Sequence, residues 1–421
     1  ATAKQGAQGA RGSKLDWKNP VVMAENIFSK KPVPSKGMSG YKGPLQYHSA
    51  SIIELDDGTF LASWFGGMPE KSPAVSIWMS RSHGKGWERP LEMAKPTGSS
   101  ERDRENACWN PVLVQVPPPV GGNGTVVLFY KRGRHPTSWR GYYVRSEDRG
   151  ATWGKEVKLP GGILGPVKNK PLFGPNGEMF CPTSTEKSVR LGVNNMVQTW
   201  QCWVDVSKDG GRTWKREGPV PYKGKIIQPS FFFDRAGNIT MLARTGNDPP
   251  KQKNTAGMSS AAIKKLSDAA KNDRFVLRAA STYVGGKLKW KAPRLTKLPC
   301  PNAGVDAERL RDGQVVVVYN PSQKLLDEGR AALAVAVSQD DGLTWKRVWT
   351  LEDLRASSNR RLVSSARGKV WMYPEFSYPA VMQDSKGLIH IVYTYKRDSI
   401  RHVVLHPRVV AKLPGAASLI L

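Results

Sequence analysis

The sequence predicts an all-β chain folded as a six-bladed β-propeller, with four-stranded blades and basic surface insertions. Two internal repeats predict it, and they run out of phase with each other. The first is an octapeptide, S-x-D-x-G-x-T-W, present at Ser146–Trp153, Ser207–Trp214 and Ser338–Trp345, with a worn copy from Ser80 to Trp87 and a remnant ending at Trp290. The second is a strand, a glycine turn and a very apolar strand, with turns centred on Gly58, Gly124, Gly177, Gly237, Gly313 and Gly387. A third observation agrees: the longest apolar pieces, such as Val315 to Tyr319, have the length of a strand.

The octapeptide has the chemistry of a hairpin turn. Its Asp can fold a carboxylate back onto backbone N–H groups, its Gly supplies a positive φ, and Thr and Trp begin the returning strand with the indole over the turn. This is a structural device, not a catalytic one. The glycine-turn units are followed by Phe60–Trp64, Val126–Tyr130, Met179–Cys181, Ile239–Ala243, Val315–Tyr319 and Leu388–Tyr393. Five units precede a hairpin ended by Trp87, Trp153, Trp214, Trp290 or Trp345, and the sixth precedes a closing strand, Ile400 to Leu405. Each unit thus supplies one blade, and radial closure leaves few strand edges exposed.

Residues 1–39 read as a basic N-terminal arm and lead-in, 40–410 as the propeller, and 411–421 as a C-terminal tail. Basic insertions fall near 247–275, with a short helical stretch around Ser260–Lys271, and near 356–372, with Arg360, Arg361, Arg367 and Lys369.

The net charge is +29, from 64 Lys and Arg against 35 Asp and Glu. A field of that sign attracts polyanions: an acidic glycan or polysaccharide, or an acidic macromolecule such as nucleic acid or a nucleoprotein complex meeting the arm and insertions. There is no aromatic and basic interleaving of the RNA-binding kind. No uninterrupted apolar run approaches the roughly 18 residues of a membrane helix. Cys108, Cys181, Cys202 and Cys300 lie far apart with no CxxC pair, so a zinc site is not expected; four free buried thiols are, with one or two disulfides as the alternative. No metal, nucleotide or flavin motif is present; Gly210-Gly211 lies in an octapeptide turn, and no cofactor is expected. The first residue is Ala1, which fits removal of a targeting segment in an organellar or secreted protein.

In a propeller the leading ends of the innermost strands converge on one face. Residues just before those strands are His48, Asn110, Asn169 beside Lys168, Gln228, Asp306 and Tyr378. Polar groups from six separate blades, in segments otherwise built for burial, predict a site. The alternative expectation is that some of them cap strand ends or bind trapped water along the axis.

At these residues the chain resembles the sialidase superfamily, in its branch of BNR, or Asp-box, repeat proteins. The strings that carry the resemblance are Gln46–Ser51, Cys108–Pro111, Gly162–Pro171, Cys181–Glu186 and Phe376–Ala380, and it covers roughly residues 40 to 407 apart from the insertions. The resemblance implies that Tyr378 is the nucleophile and that Arg244 and Arg330 are the second and third arginines that hold a substrate carboxylate. Three departures accompany it. His48 stands for the first arginine, Gln228 for the Glu that activates the Tyr, and Glu70 for the acid Asp of the loop at 66–73. A Gln cannot take a proton from Tyr378.

Three functions follow. The first is a glycoside hydrolase acting on a carboxylate-bearing glycan, with Arg244 and Arg330 gripping the carboxylate, Tyr378 attacking and Glu70 donating a proton. The second is a polysaccharide lyase cleaving uronate by β-elimination, with Arg244, His48 and Tyr378 supplying cation, base and acid, and His135 in reserve. The third is a non-catalytic scaffold or lectin docking onto an acidic assembly through its basic surface.

Overall fold

The computed structural model describes residues 19–35, 42–95, 107–190, 196–246 and 274–407, except 286, 325, 366, 367 and 373. They form six antiparallel blades in a ring. The first blade holds Gln46–Glu54, Phe60–Gly67, Val75–Ser82 and Leu91–Ala94; the second holds Cys108–Gln115, Val126–Arg132, Arg140–Ser146 and Val157–Lys158. The third runs Leu172–Phe173, Met179–Arg190, Met196–Ser207 and Lys215–Glu217, and the fifth Asp306–Arg309, Val315–Tyr319, Ala332–Ser338 and Lys346–Asp353. In the fourth, Ile226–Phe233, Ile239–Thr245 and Phe275–Val284 are followed by two strands, Lys287–Trp290 and Arg294–Pro299, that both pair with Phe275–Val284. The expected fourth-blade hairpin is therefore split.

The sixth blade is built from both ends of the chain. Phe376–Gln383, Ile389–Tyr395 and Ser399–Leu405 are joined by Val21–Asn26, which pairs antiparallel with Ser399–Leu405. The outer edge of Ser399–Leu405 would otherwise present its backbone donors and acceptors to water, so a stretch read as lead-in is part of the ring. The basic segment near 356–372 contributes a two-stranded hairpin, Arg361–Ser365 with Gly368–Met372, outside the blades. The segment 247–273, the first 15 residues and the tail 411–421 lie outside the described residues.

The apolar core is divided among the seams. One buried cluster lies between each pair of neighbouring blades: around Leu61 and Tyr130, Phe129 and Met179, Cys202 and Phe231, Leu242 and Val317, Val335 and Ile391, and Trp64 and Val392. The four cysteines are buried free thiols in four of these seams. Among the described residues no helix is long and apolar enough to cross a membrane.

The octapeptides close the outer hairpins. In the second blade Asp148 accepts from the Ser146 hydroxyl at 2.7 Å, the Thr152 N–H at 2.8 Å and the Thr152 hydroxyl at 2.6 Å, while Trp153 Nε1 donates to Gly150 O at 3.0 Å. The same set recurs at Asp209 and Asp340. Gly150, Gly211 and Gly342 all take φ near +80° to +94°, the region an L side chain avoids. The three carboxylates are spent on their own turns.

Candidate active site

Four innermost strands begin with the same irregularity. Register shifts fall between His48 and Ser51, Trp109 and Val112, Ile227 and Ser230, and Ser377 and Ala380. Within them Ser49, Asn110, Gln228 and Tyr378 take φ of 55°, 36°, 52° and 52°. A bulge of this kind turns one side chain out of the pleat and bends the strand. In three cases proline follows (Pro111, Pro229, Pro379), so the bulge strands no ladder donor. A non-glycine residue in this region is strained, and its recurrence around one axis marks the face where function is built.

The carbonyls freed by the bulges are taken up along the axis. Lys168 Nζ donates to Pro379 O, to Asn169 Oδ1 at 2.7 Å and to Val305 O at 3.2 Å. Asn169 Nδ2 donates to Pro229 O at 2.9 Å and Val305 O at 3.0 Å. Lys131 Nζ donates to Asn110 O at 3.3 Å and to Pro166 O. Asp306 accepts from Ser230 Oγ at 2.7 Å, the Val381 N–H at 2.9 Å and Lys170 Nζ at 3.1 Å. Lys168, Asn169 and Asp306 are therefore axial ties between blades. They are not among the residues that line the cavity on the bulged face.

That cavity has a volume of about 420 Å³. Seven residues named from the sequence line it: His48, Glu70, Asn110, His135, Gln228, Arg244 and Tyr378. Tyr378 Oη accepts from Arg244 Nη1 at 2.7 Å and from Gln228 Nε2 at 3.2 Å, and Gln228 Oε1 accepts from the same Arg244 nitrogen at 2.8 Å. Asn302 Oδ1 holds Arg244 Nε at 2.7 Å, and the guanidinium lies 5.7 Å from the Trp200 ring. Gln228 thus does what its resemblance position suggests in placement, although as an amide it donates to the phenol and takes no proton from it. Arg330 sits behind Tyr378, its guanidinium 5.5 Å from the ring centroid, and does not line the cavity.

His48 packs at 4.1 Å between ring centroids from Tyr378, and its Nδ1 lies 2.7 Å from Thr394 Oγ1. Burial, and then the charge of Arg397, hold its pKa well below the ordinary histidine value, so the imidazole is neutral.

Three functional residues escaped the sequence reading. Arg397, in the last hairpin turn at φ 58°, reaches back to Glu70 at 3.0 Å and Glu375 at 2.7 Å. Glu375 also accepts from Arg330 at 2.9 Å and from Ser377 Oγ at 2.5 Å. Burial alone would raise the Glu375 pKa, but Arg397 and Arg330 outweigh it and hold the carboxyl well below its usual range. The third is Glu186, on Met179–Arg190, opposite Trp200 across the strand pair. Burial raises its pKa, and Arg244, Lys225 and Lys71 oppose this only in part. Glu186 has no salt bridge among the described residues, whereas Glu70 is committed to Arg397. Phe65, Trp109, Trp139 and Trp200 supply aromatic walls. Among the described residues no group of three His, Cys, Asp or Glu is placed to hold a metal ion.

Residues 58–391 match the family model described as BNR repeat-like domain. No curated protein matches. Among solved structures, a protein of unknown function from Dyadobacter fermentans is 15% identical, with a TM-score of 0.59 over 92% of this chain and 98% of that one. The NanB sialidase of Streptococcus pneumoniae is 12% identical (TM-score 0.58), covering 93% of this chain and 71% of its own. The α-L-arabinofuranosidase Arb93A of Fusarium graminearum is 16% identical (TM-score 0.58), covering 94% and 100%. At these identities the structures establish the fold, and the family match spans most of the chain: this protein belongs to the BNR repeat-like domain family.

Proposed function

We propose that the protein is a glycoside hydrolase acting on a carboxylate-bearing glycan. The observation that carries this reading is one cavity in which a phenol oxygen clasped by Arg244 and Gln228 shares aromatic walls with an unpaired carboxyl, Glu186, whose pKa is raised. Carbohydrate-active enzymes among the fold neighbours, a sialidase and an arabinofuranosidase, lend it support. None of the neighbours named above lends the nucleoprotein expectation the same.

The reaction is a double displacement. Tyr378 Oη attacks the anomeric carbon and breaks the bond to the leaving oxygen, which takes the Glu186 proton. The phenol proton passes to His48, the neutral imidazole beside it. Water then attacks the anomeric carbon and gives its proton to Glu186, the bond to Tyr378 Oη breaks, and the phenolate takes back the proton held by His48. Arg244 meets the substrate carboxylate. Arg330 acts from behind, fixing Tyr378, and Glu186 replaces Glu70 as the proton donor. Tyr378→Phe lowers kcat by about 10³-fold or more on an acidic aryl glycoside, consistent with the loss of a nucleophile. Absence of turnover by the wild-type chain across sialosides, uronides and related acidic glycosides would sink the reading.

One observation favours β-elimination as a second reading: a neutral His48 lies against Tyr378 and needs no covalent intermediate. A lyase releases an unsaturated uronate with new ultraviolet absorbance; a hydrolase does not.

A further inference from the structure

We infer that a second hollow, between the second and third blades beyond Glu186, receives the leaving-group end of the substrate, and that this end is itself anionic. The ligand is then a chain of acidic sugars rather than one acidic sugar on a neutral group. This rests on the glycosidase reading of the Tyr378 cavity, because it uses Glu186 as the boundary between the sugar attacked and the part released.

The hollow has a volume of about 430 Å³ and shares Pro136, Thr137, Trp139 and Glu186 with the Tyr378 cavity. A general acid must stand beside the leaving oxygen, so the space on its far side is where the released part lies. Glu186 is the only carboxylate in the lining, against the cations Arg140, Lys158, Lys187 and Arg216. Arg216 is neutralised by Asp205 at 2.7 Å. Arg140, Lys158 and Lys187 are exposed and have no ion-pair partner among the described residues. Three unopposed charges of one sign in a concave wall draw an anion. Trp139 in the shared wall keeps a buried indole N–H with no acceptor among the described residues. Gly161 and Gly162 leave open space where a side chain would stand.

The test is calorimetric binding to the full chain carrying Tyr378→Phe, which prevents turnover. The probes are tetrasaccharides of galacturonate, of hyaluronan and of 2,8-linked sialic acid, with neutral arabinotetraose as control. At least one acidic chain binds, and Arg140→Ala/Lys158→Ala/Lys187→Ala weakens it by about tenfold. Lys208→Ala/Lys287→Ala/Lys346→Ala, which removes equal charge from exposed positions elsewhere, leaves it unchanged. The inference is overturned if the first triple variant binds as tightly as its parent, if arabinotetraose binds as well as the acidic chains, or if no acidic tetrasaccharide binds. Product formation by the wild-type chain on the same probes is read separately by mass. Cation-dependent binding with no product overturns the glycosidase reading and leaves the anionic hollow standing; product with unchanged affinity in the triple variant overturns the hollow alone.

Discussion

Glu186 and Glu70 are two carboxyls of one cavity in unlike surroundings. Glu70 meets Arg397 at 3.0 Å, while Glu186 is partly buried against Trp200 with no salt bridge. In the proposed reaction Glu186 acts only while protonated, and its pKa is raised, so activity is expected to fall as pH rises through that raised value. Glu186→Gln lowers kcat on an oligosaccharide by about 10²–10⁴-fold and removes this alkaline limb, as a steady-state pH profile shows. Glu375 has the opposite sign. Its folded pKa lies below the unfolded one, so its contribution is full above the unfolded value and is lost as pH falls through the folded one. Glu375→Gln leaves Arg330 and Arg397 without their shared partner and costs about 3–5 kcal/mol, measured by denaturant unfolding at neutral pH. Sequence reasoning found Tyr378 and Gln228 because they precede repeated strands. It missed Glu375 and Arg397 because their partnership is made by the pairing of sixth-blade strands, between the residue before Phe376–Gln383 and the turn after Ile389–Tyr395, which stand more than twenty residues apart in the sequence. Glu186 lay inside a string that carried the family resemblance, Cys181–Glu186, yet nothing local distinguishes it; only the cross-strand Trp200 and the burial do.

The hairpin is the unit the sequence showed most clearly, since Ser, Asp, Gly, Thr and Trp each answer a local demand. The three full octapeptides differ in what their indoles touch. Trp345 is almost wholly buried in the seam of the fourth and fifth blades, whereas Trp153 and Trp214 are only partly covered. Trp345→Ala costs about 3–5 kcal/mol in unfolding free energy, and Trp153→Ala costs less; matched denaturant melts rank them. The split of the fourth-blade hairpin was not legible, because Lys287–Trp290 and Arg294–Pro299 are both acceptable outer strands, and both do pair with Phe275–Val284, on different stretches of it. The bulges were equally hidden. Asn-Pro, Gln-Pro and Tyr-Pro hint at a break, but positive φ at Asn110, Gln228 and Tyr378 is imposed by convergence on the axis.

For the whole molecule, six seams of apolar contact hold the blades together while a few polar side chains lock their inner ends. Lys168 is the chief of these, joining the third blade to carbonyls of the fifth-blade segment and of Pro379 in the sixth. Burial lowers its pKa to about 7. Lys168→Met orphans Asn169 Oδ1 and two carbonyls and lowers stability by about 3 kcal/mol or more, seen as an earlier thermal transition. The six glycine turns made the blade number readable, but the source of the sixth blade's outer strand was not. Ser399–Leu405 announced itself as a last strand, while Val21–Asn26 carries no turn, no tryptophan and no alternation that would assign it to a partner so distant in the chain.

That pairing sets an order of events during synthesis. Val21–Asn26 emerges from the ribosome long before Ser399–Leu405, the strand it pairs with, and must wait for it. Through most of translation the nascent chain is an open arc with one unmatched edge. Bringing these two strands together closes a loop that spans the whole ring, and long-range pairing of this kind comes late and slowly. The interval before closure is when a growing chain of this family is most exposed to pairing with a neighbour.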